Sequence, residues 1–487
     1  MIAVLSITAA AQTVHAEDTD IIKYKINNQE ARTVTVNGLN ATTDTILNIP
    51  ETTVIDGTEY TVTDIYINRF NSKARYIQRV IVPKTVTRIT SLKIYNNKTG
   101  MFKVEFAENS TLRVIGDNAC STNQLVEFAI PSTVDSIGSY AFGGTSLQRI
   151  EIPQGVKKIS PNTFNSSAIR EIVMHDDIKS IGQFAFNRCK NLKTITIPAA
   201  TDTIGNNAFS ECDSLSNIAL PEGLKYLGNS AFSKCVSLRE IALPDGLTNI
   251  NAYTFNGCTM LSSVTLPAEL KCINYDTFAE CDSLKRITLP ASVDSLGYRA
   301  LRSVTDVYPK GAIPARIGFG AFADNAEIHV DMSQIDAYAG ASGWKNYNVH
   351  GDEFSAGYLS YIPTSTHSAY VTGNSLPENG KLTVPKTVEH EGYSLDVTAI
   401  TDHTLPELAS EITIDAQVET IGFQKFYNSE ISNLTRIVLP QTLKRIETNT
   451  FIYTDKLKSI ELPTGLERIG DYAFYGSGIS DISLKET

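Results

Sequence analysis

No run of apolar residues beyond position 16 approaches the ~20 that a membrane-spanning helix requires, so no transmembrane span is expected. Histidine is sparse and scattered, at His15, His175, His329, His350, His367, His390 and His403. No two of these have the spacing of ligands on one helix face. None accompanies a Gly-x-Ser-x-Gly elbow, a phosphate-binding glycine loop or a calcium loop. Seven cysteines are present, but no Cys-x-x-Cys pair, which argues against a zinc site. No catalytic residue, metal or cofactor is therefore expected, and the chain does not read as an enzyme. Positive charge is also short. Forty-two Lys and Arg against 53 Asp and Glu give a net charge of −11 and a pI near 5.3. That balance disfavours nucleic acid and anionic lipid, whose phosphates attract a positive face.

A composition of 42% hydrophobic and 20% charged residues is globular rather than disordered. At 487 residues the chain exceeds one ordinary core, so it holds either several domains or an array that grows turn by turn. Ile2 to Ala11 is apolar or small, and Val14-His15-Ala16 precedes a polar stretch opening at Glu17. This reads as the apolar and cleavage regions of an export signal whose basic start is missing, since the first lysine is Lys23. Residues 1–16 are taken as a signal-peptide remnant, and the mature chain is expected outside the cell or on its surface.

What the chain has in abundance is self-similarity. Leu215, Ile218, Leu220, Pro221, Leu224, Leu227, Phe232 and Cys235 recur 23 residues later as Leu238, Ile241, Leu243, Pro244, Leu247, Ile250, Phe255 and Cys258. They recur again from Leu261 to Cys281. One phenylalanine column runs Phe142, Phe164, Phe186, Phe209, Phe232, Phe255 and Phe278, and resumes at Phe426, Phe451 and Phe474. A proline column runs from Pro83 through Pro131, Pro153, Pro198, Pro221, Pro244, Pro267 and Pro290 to Pro440 and Pro463, with His175 standing in it once.

The pattern dictates the unit. Leu-x-x-Ile-x-Leu ends in the alternation of a strand with one buried face, and proline stops the strand because it cannot donate to a ladder. A second short strand leads to the Ala-Phe segment, read as a single helical turn. One such unit cannot bury its apolar side; stacked units can, Leu on Leu and Phe on Phe. The expected fold is a mainly β repeat solenoid with short parallel strands and single helical turns.

A larger duplication lies above the repeat. Val34, Val36, Leu47-Asn-Ile49-Pro50 and Gly57 reappear at an offset of 335 as Ala369, Val371, Leu382-Thr-Val384-Pro385 and Gly392. Both stretches alternate with glycine turns, as antiparallel hairpins do, and both precede repeats. They are read as caps covering the first turn of each array, where a bare edge invites pairing. The expected order is a β cap over 17–75 and a first array over 76–348. Residues 306–348, with a helical stretch Ser333 to Ala341 and Trp344, plug that array's far end. A linker over 349–357, a second cap over 358–399 and a second array over 400–487 follow. The second array ends at Ile482-Ser-Leu484 with no cap in view, so a further module or a truncation is expected there.

These columns resemble the BspA-like leucine-rich repeat, Leu-x-x-Ile-x-Ile-Pro-x-x-Val-x-x-Ile-Gly-x-x-Ala-Phe-x-x-Cys, which residues 192–212 and 215–235 follow nearly position by position. Ala337-Tyr338 with Gly343-Trp344 is similar to the ends of such arrays in secreted proteins of Bacteroidetes-type bacteria. The resemblance implies surface attachment: some members bind host matrix or plasma proteins, or other microbes. It brings no catalytic motif.

Two further rows follow the repeat period. Cys189, Cys212, Cys235, Cys258 and Cys281 fill one repeat column, with Cys120 and Cys272 off it and Asn123 in the same place in an earlier copy. A linear row of thiols cannot supply zinc's tetrahedron, and in-register neighbours hold their Cβ atoms too far apart for a disulfide. The column is read as interior packing. The second row is the outward side of the strands: Arg149, Glu151, Glu171, Thr194, Thr196, Asn217, Glu240, Ser263, Thr265, Arg286 and Thr288. It is the candidate ligand face, although it lacks the aromatics typical of binding hot spots. The expected role is adhesion to a host extracellular protein or glycan, or to a neighbouring microbe. The alternative is a passive spacer that presents another domain.

Overall fold

The computed structural model describes residues 21–484 except 41, 69–75, 95–99, 312, 314–315, 376, 402–408 and 423–432. The export signal expected over 1–16, and Phe426, lie outside the described residues. The fold is a solenoid of parallel strands with almost no helix. Close packing divides the chain into two compact units, one of residues 1–304 with 314–323, the other of 305–313 with 324–487. Within the second unit, residues 349–357 contain the end of one strand, Asn348–His350, and all of another, Phe354–Ala356.

In the first unit each repeat lays down two strands. The outer one pairs in register with its copy one turn on, Thr194 with Asn217, Ile195 with Ile218 and Thr196 with Ala219. Its middle residue points inward and its flanks outward, as the alternating sequence requires. The inner strands form unbroken ladders. Lys158–Ile159, Ser180–Ile181, Thr203–Ile204 and Tyr226–Leu227 make one, and Asn249–Ile250 to Arg316–Ile317 another. Where a glycine follows an inner strand, as at Gly182, Gly205, Gly228 and Gly297, it allows close approach between turns. A Cβ added at Gly228 would sit 2.4 Å from the Asn206 nitrogen.

The Ala-Phe segment is not a helical turn. Two residues per copy adopt left-handed backbone, as Ser230 (φ 55°) and Lys234 (φ 60°) do around Phe232. The N–H groups then alternate in direction. Those of Ala231, Ser233 and Cys235 donate back three residues, whereas those of Ser230, Phe232 and Lys234 donate forward to Ala252, Thr254 and Asn256 of the next turn. A helix would keep every such bond inside the segment; here half of them build a third inter-turn ladder. Non-glycine residues in left-handed backbone cost on the order of 1–3 kcal/mol each, and the forward hydrogen bonds over-determine the conformation that bears this cost.

Side chains follow the backbone ladders into the core. Phe142, Phe164, Phe186, Phe209, Phe232, Phe255 and Phe278 are fully buried, with successive ring centroids 5.2–5.8 Å apart and planes within 9° of parallel. Each column cysteine is free and buried. Its thiol donates to the phenylalanine carbonyl of the preceding turn, as Cys235 does to Phe209 at 3.2 Å. That carbonyl also accepts the N–H of its own turn's cysteine. In the earlier, shorter copy the buried place belongs to Thr122, whose carbonyl accepts the Leu125 N–H as that of Cys189 accepts the Leu192 N–H. Asn123, expected there, is exposed.

The two duplicated modules share one topology, which is mixed rather than purely antiparallel. In the first unit Thr33–Leu39 runs antiparallel to Ile22–Asn28 but parallel to Thr58–Ile67, and Thr52–Ile55 folds back on Thr58–Ile67. In the second unit Ser368–Asn374 pairs the same two ways with Leu359–Ser365 and Tyr393–Ile400, and Thr387–His390 folds back on Tyr393–Ile400. Each module hands a strand to the ladder that follows: Ile46–Asn48 pairs with Arg79–Val82 and Lys381–Val384 with Glu411–Ile414, both parallel. Parallel pairing across a loop was not legible from alternation alone, which both orientations share.

Candidate recognition face

The outward flanks of the outer strands are the candidate ligand face, and all eleven expected positions are exposed. The parallel register sets them in pairs, Arg149 beside Glu171, Thr194 beside Asn217 and Glu240 beside Ser263. Arg149 and Glu171 form an ion pair, which on an exposed surface contributes little to stability.

Midway along the face lies an open hollow of about 580 Å³. It forms where the outward side chains are smallest, at Ala219 and Ala242. Asn217, Glu240, Ser263 and Thr265 line it, joined by Glu222 and Asp245 from the turns after the strands. Three carboxylates and no basic side chain line it, so its potential is negative. Such a field favours a cationic partner and raises its association rate more than it raises affinity.

The cysteine column is chemically quiet. Burial pushes the Cys189 and Cys235 thiols up to about 12 and those of Cys212, Cys258 and Cys281 well above the usual range, which suppresses the thiolate that reactivity needs. Among the described residues no three His, Cys, Asp or Glu side chains are arranged to hold a metal ion.

Two features escaped the sequence reading. In the second unit His329 and His350 stand one turn apart with ring centroids 4.5 Å apart, and Tyr308 stacks on His329 at 4.3 Å. His350 lies 2.8 Å from the Gly351 carbonyl and 2.9 Å from Glu327. Burial, then the neighbouring His350, holds the His329 imidazole below its ordinary pKa. The 21-residue separation of the two histidines was the available signal. In the same unit Trp344 is fully buried edge-on to Tyr338, whose hydroxyl donates to Gly311. The second feature is a row of exposed aromatic side chains on the turn edge of the first unit.

Short parallel strands, a leucine-lined core and a glycine-phenylalanine turn at a fixed period define a leucine-rich-repeat protein. The model of the BspA type leucine rich repeat region matches six copies over residues 113–212, 179–307 and 396–487. This is more than half of the chain, and the chain belongs to that family. No curated protein matches it. Among solved structures, a leucine-rich repeat protein from Bacteroides ovatus is 22% identical over 68% of this chain and 98% of its own, with a TM-score of 0.45. A leucine rich cell surface protein from Faecalibacterium prausnitzii is 22% identical over 62% and 97%, with a TM-score of 0.38. The pneumococcal vaccine antigen PcpA is 17% identical over 86% and 97%, with a TM-score of 0.43.

Proposed function

We propose that the protein is an exported, non-enzymatic recognition module that adheres to a host or neighbouring-cell protein through the outward face of its outer strands. The observation that carries this reading is the face itself: exposed side chains from Arg149 to Thr288, set in register where neighbouring strands pair and hollowed beside Glu240. Repeat proteins use such extended surfaces for binding. The acidic hollow points to a partner segment bearing Lys or Arg, with Glu222, Glu240 and Asp245 receiving it. The two mixed-sheet modules act as caps, because each supplies the strand on which the following ladder begins.

The test is capture of the full chain on immobilised matrix proteins, plasma proteins and glycans. Saturable binding to a protein that weakens with added salt supports the reading, since exposed ion pairs are screened above ~0.1 M. Absence of binding across all three panels favours a passive spacer instead. Binding to glycans alone contradicts the reading.

A further inference from the structure

Large aromatic side chains are costly to leave in water, yet consecutive turns of the first unit expose them on one edge. Tyr275, Tyr298 and Phe319 occupy the same place in three successive turns, separated by one residue from the end of the inner strand, and Tyr253 leans onto the row from the turn before. They are 48%, 48%, 85% and 39% exposed, Phe319 being the most exposed large apolar side chain described. The rings are grouped in twos. Tyr253 meets Tyr275 edge-on at 5.1 Å, and Tyr298 stacks on Phe319 at 6.4 Å. Arg299 lies over Tyr298 at 5.8 Å and is paired with Asp276. The second unit repeats the device on its last turns, where Tyr453, Tyr472 and Tyr475 are 47%, 67% and 56% exposed with rings 5.7 and 5.9 Å apart.

The polar groups beside the first row are already engaged. The Asn251 and Asn274 amides donate to the carbonyls of Leu227 and Ile250, and Asp276 holds Arg299. A sugar chain needs flanking hydrogen-bond partners at its hydroxyls, and here the Asn251 and Asn274 amides and the Asp276 carboxylate are already taken. What the row offers is ring surface and tyrosine hydroxyls, with the Arg299–Asp276 pair electrically neutral. Two ring pairs two turns apart are separated by about 10 Å, twice the spacing of neighbouring strands. A polyproline II chain repeats every three residues, or about 9.3 Å, and leaves its carbonyls unbonded for phenolic donors.

We propose that this aromatic edge is a docking strip for a proline-rich segment of a protein partner, each ring pair receiving one turn of a polyproline II helix. Aromatic-lined grooves take such helices because their conformation is set before binding. From Tyr253 to Phe319 the strip spans three turn spacings, roughly 15 Å, which about five residues of that helix cover. The strip lies on the turn edge rather than on the strand face, so the two surfaces can be separated by substitution.

The probe is a fluorescein-labelled ten-residue oligoproline titrated with the full chain and followed by fluorescence anisotropy. Saturable binding is expected. Tyr298→Ser combined with Phe319→Ser should weaken it about tenfold or more, while Glu240→Lys on the strand face leaves it unchanged. Both replaced side chains are exposed, so the thermal midpoint of the double variant should match that of the parent, which separates lost binding from lost folding. The proposal is overturned if the oligoproline does not saturate, if the double variant binds as the parent does, or if a Gly-Ser peptide of equal length binds as tightly. It is likewise overturned if a linear hexasaccharide binds through these rings in preference to the peptide.

Discussion

Replacing Phe232 by alanine should be far more damaging than the same change at Phe474, although both occupy one repeat column. Phe232 is fully buried, with Phe209 on one side at 5.3 Å and Phe255 on the other at 5.6 Å. Emptying such a site costs about 3–5 kcal/mol, made up of lost transfer free energy and the cavity left behind. Two stacked contacts of roughly 0.5–1.5 kcal/mol each are contained in that figure. Phe474 is half-buried and stacks only on Phe451, at 5.4 Å. With one ring neighbour and part of its surface already in water, it should lose about 1–3 kcal/mol. A long repeat array need not unfold in one step, so global denaturation alone would blur the comparison. Native-state hydrogen exchange resolves it. The Phe232 and Phe209 amides donate to the next turn, and their protection should fall by the cost of the mutation. Equal losses at the two sites, or a loss below about 1 kcal/mol at Phe232, would refute the claim that the phenylalanine column holds neighbouring turns together.

Other consequences can be checked on the same protein. Gly228→Ala should destabilise by about 1–3 kcal/mol, because its Cβ would meet the Asn206 backbone at 2.4 Å, whereas at Gly223 the nearest atom is 3.6 Å away and little should change; chemical denaturation of both variants measures the difference. The buried thiols make stability pH-dependent in the alkaline range. Their folded pKa is raised above the usual 9.0, to about 12 at Cys189 and Cys235. The unfolded chain therefore releases protons first, and stability present below pH 9 is lost as the pH rises toward 12. Cys235→Ser should blunt that loss in alkaline melts, and at pH 8 a thiol reagent should modify the partly exposed Cys272 before any column cysteine.

The repeat was readable because its columns encode packing directly. Phe, Leu and Pro at a 23-residue period leave no other way to bury so much apolar surface, and the ring stack from Phe142 to Phe278 follows. The backbone of the Ala-Phe segment was not readable. Its left-handed places hold Ser230, Lys234, Arg188 and Glu211, none of which advertises that conformation, and only hydrogen bonding to the next turn selects it. The one-residue shift from Asn123 to Thr122 arose in a shorter copy, where counting from neighbouring repeats fails. The strand face was located from alternation alone, but its hollow depends on two alanines in adjacent turns, and its negative potential on Glu222 and Asp245, which lie outside the strands. The aromatic edge stands in the sequence as Tyr275, Tyr298 and Phe319 at repeat spacing, but it lies outside the alternation of the strands, which carries no sign of its exposure.

Recognition through the strand face would depend on its exposed carboxylates. The most direct measurement is the affinity of the full chain for a captured protein ligand before and after Glu171→Lys combined with Glu240→Lys. Both side chains are exposed on that face, so the fold should survive. A loss of about tenfold or more is expected, concentrated at low salt. Unchanged affinity in the folded double variant would contradict it.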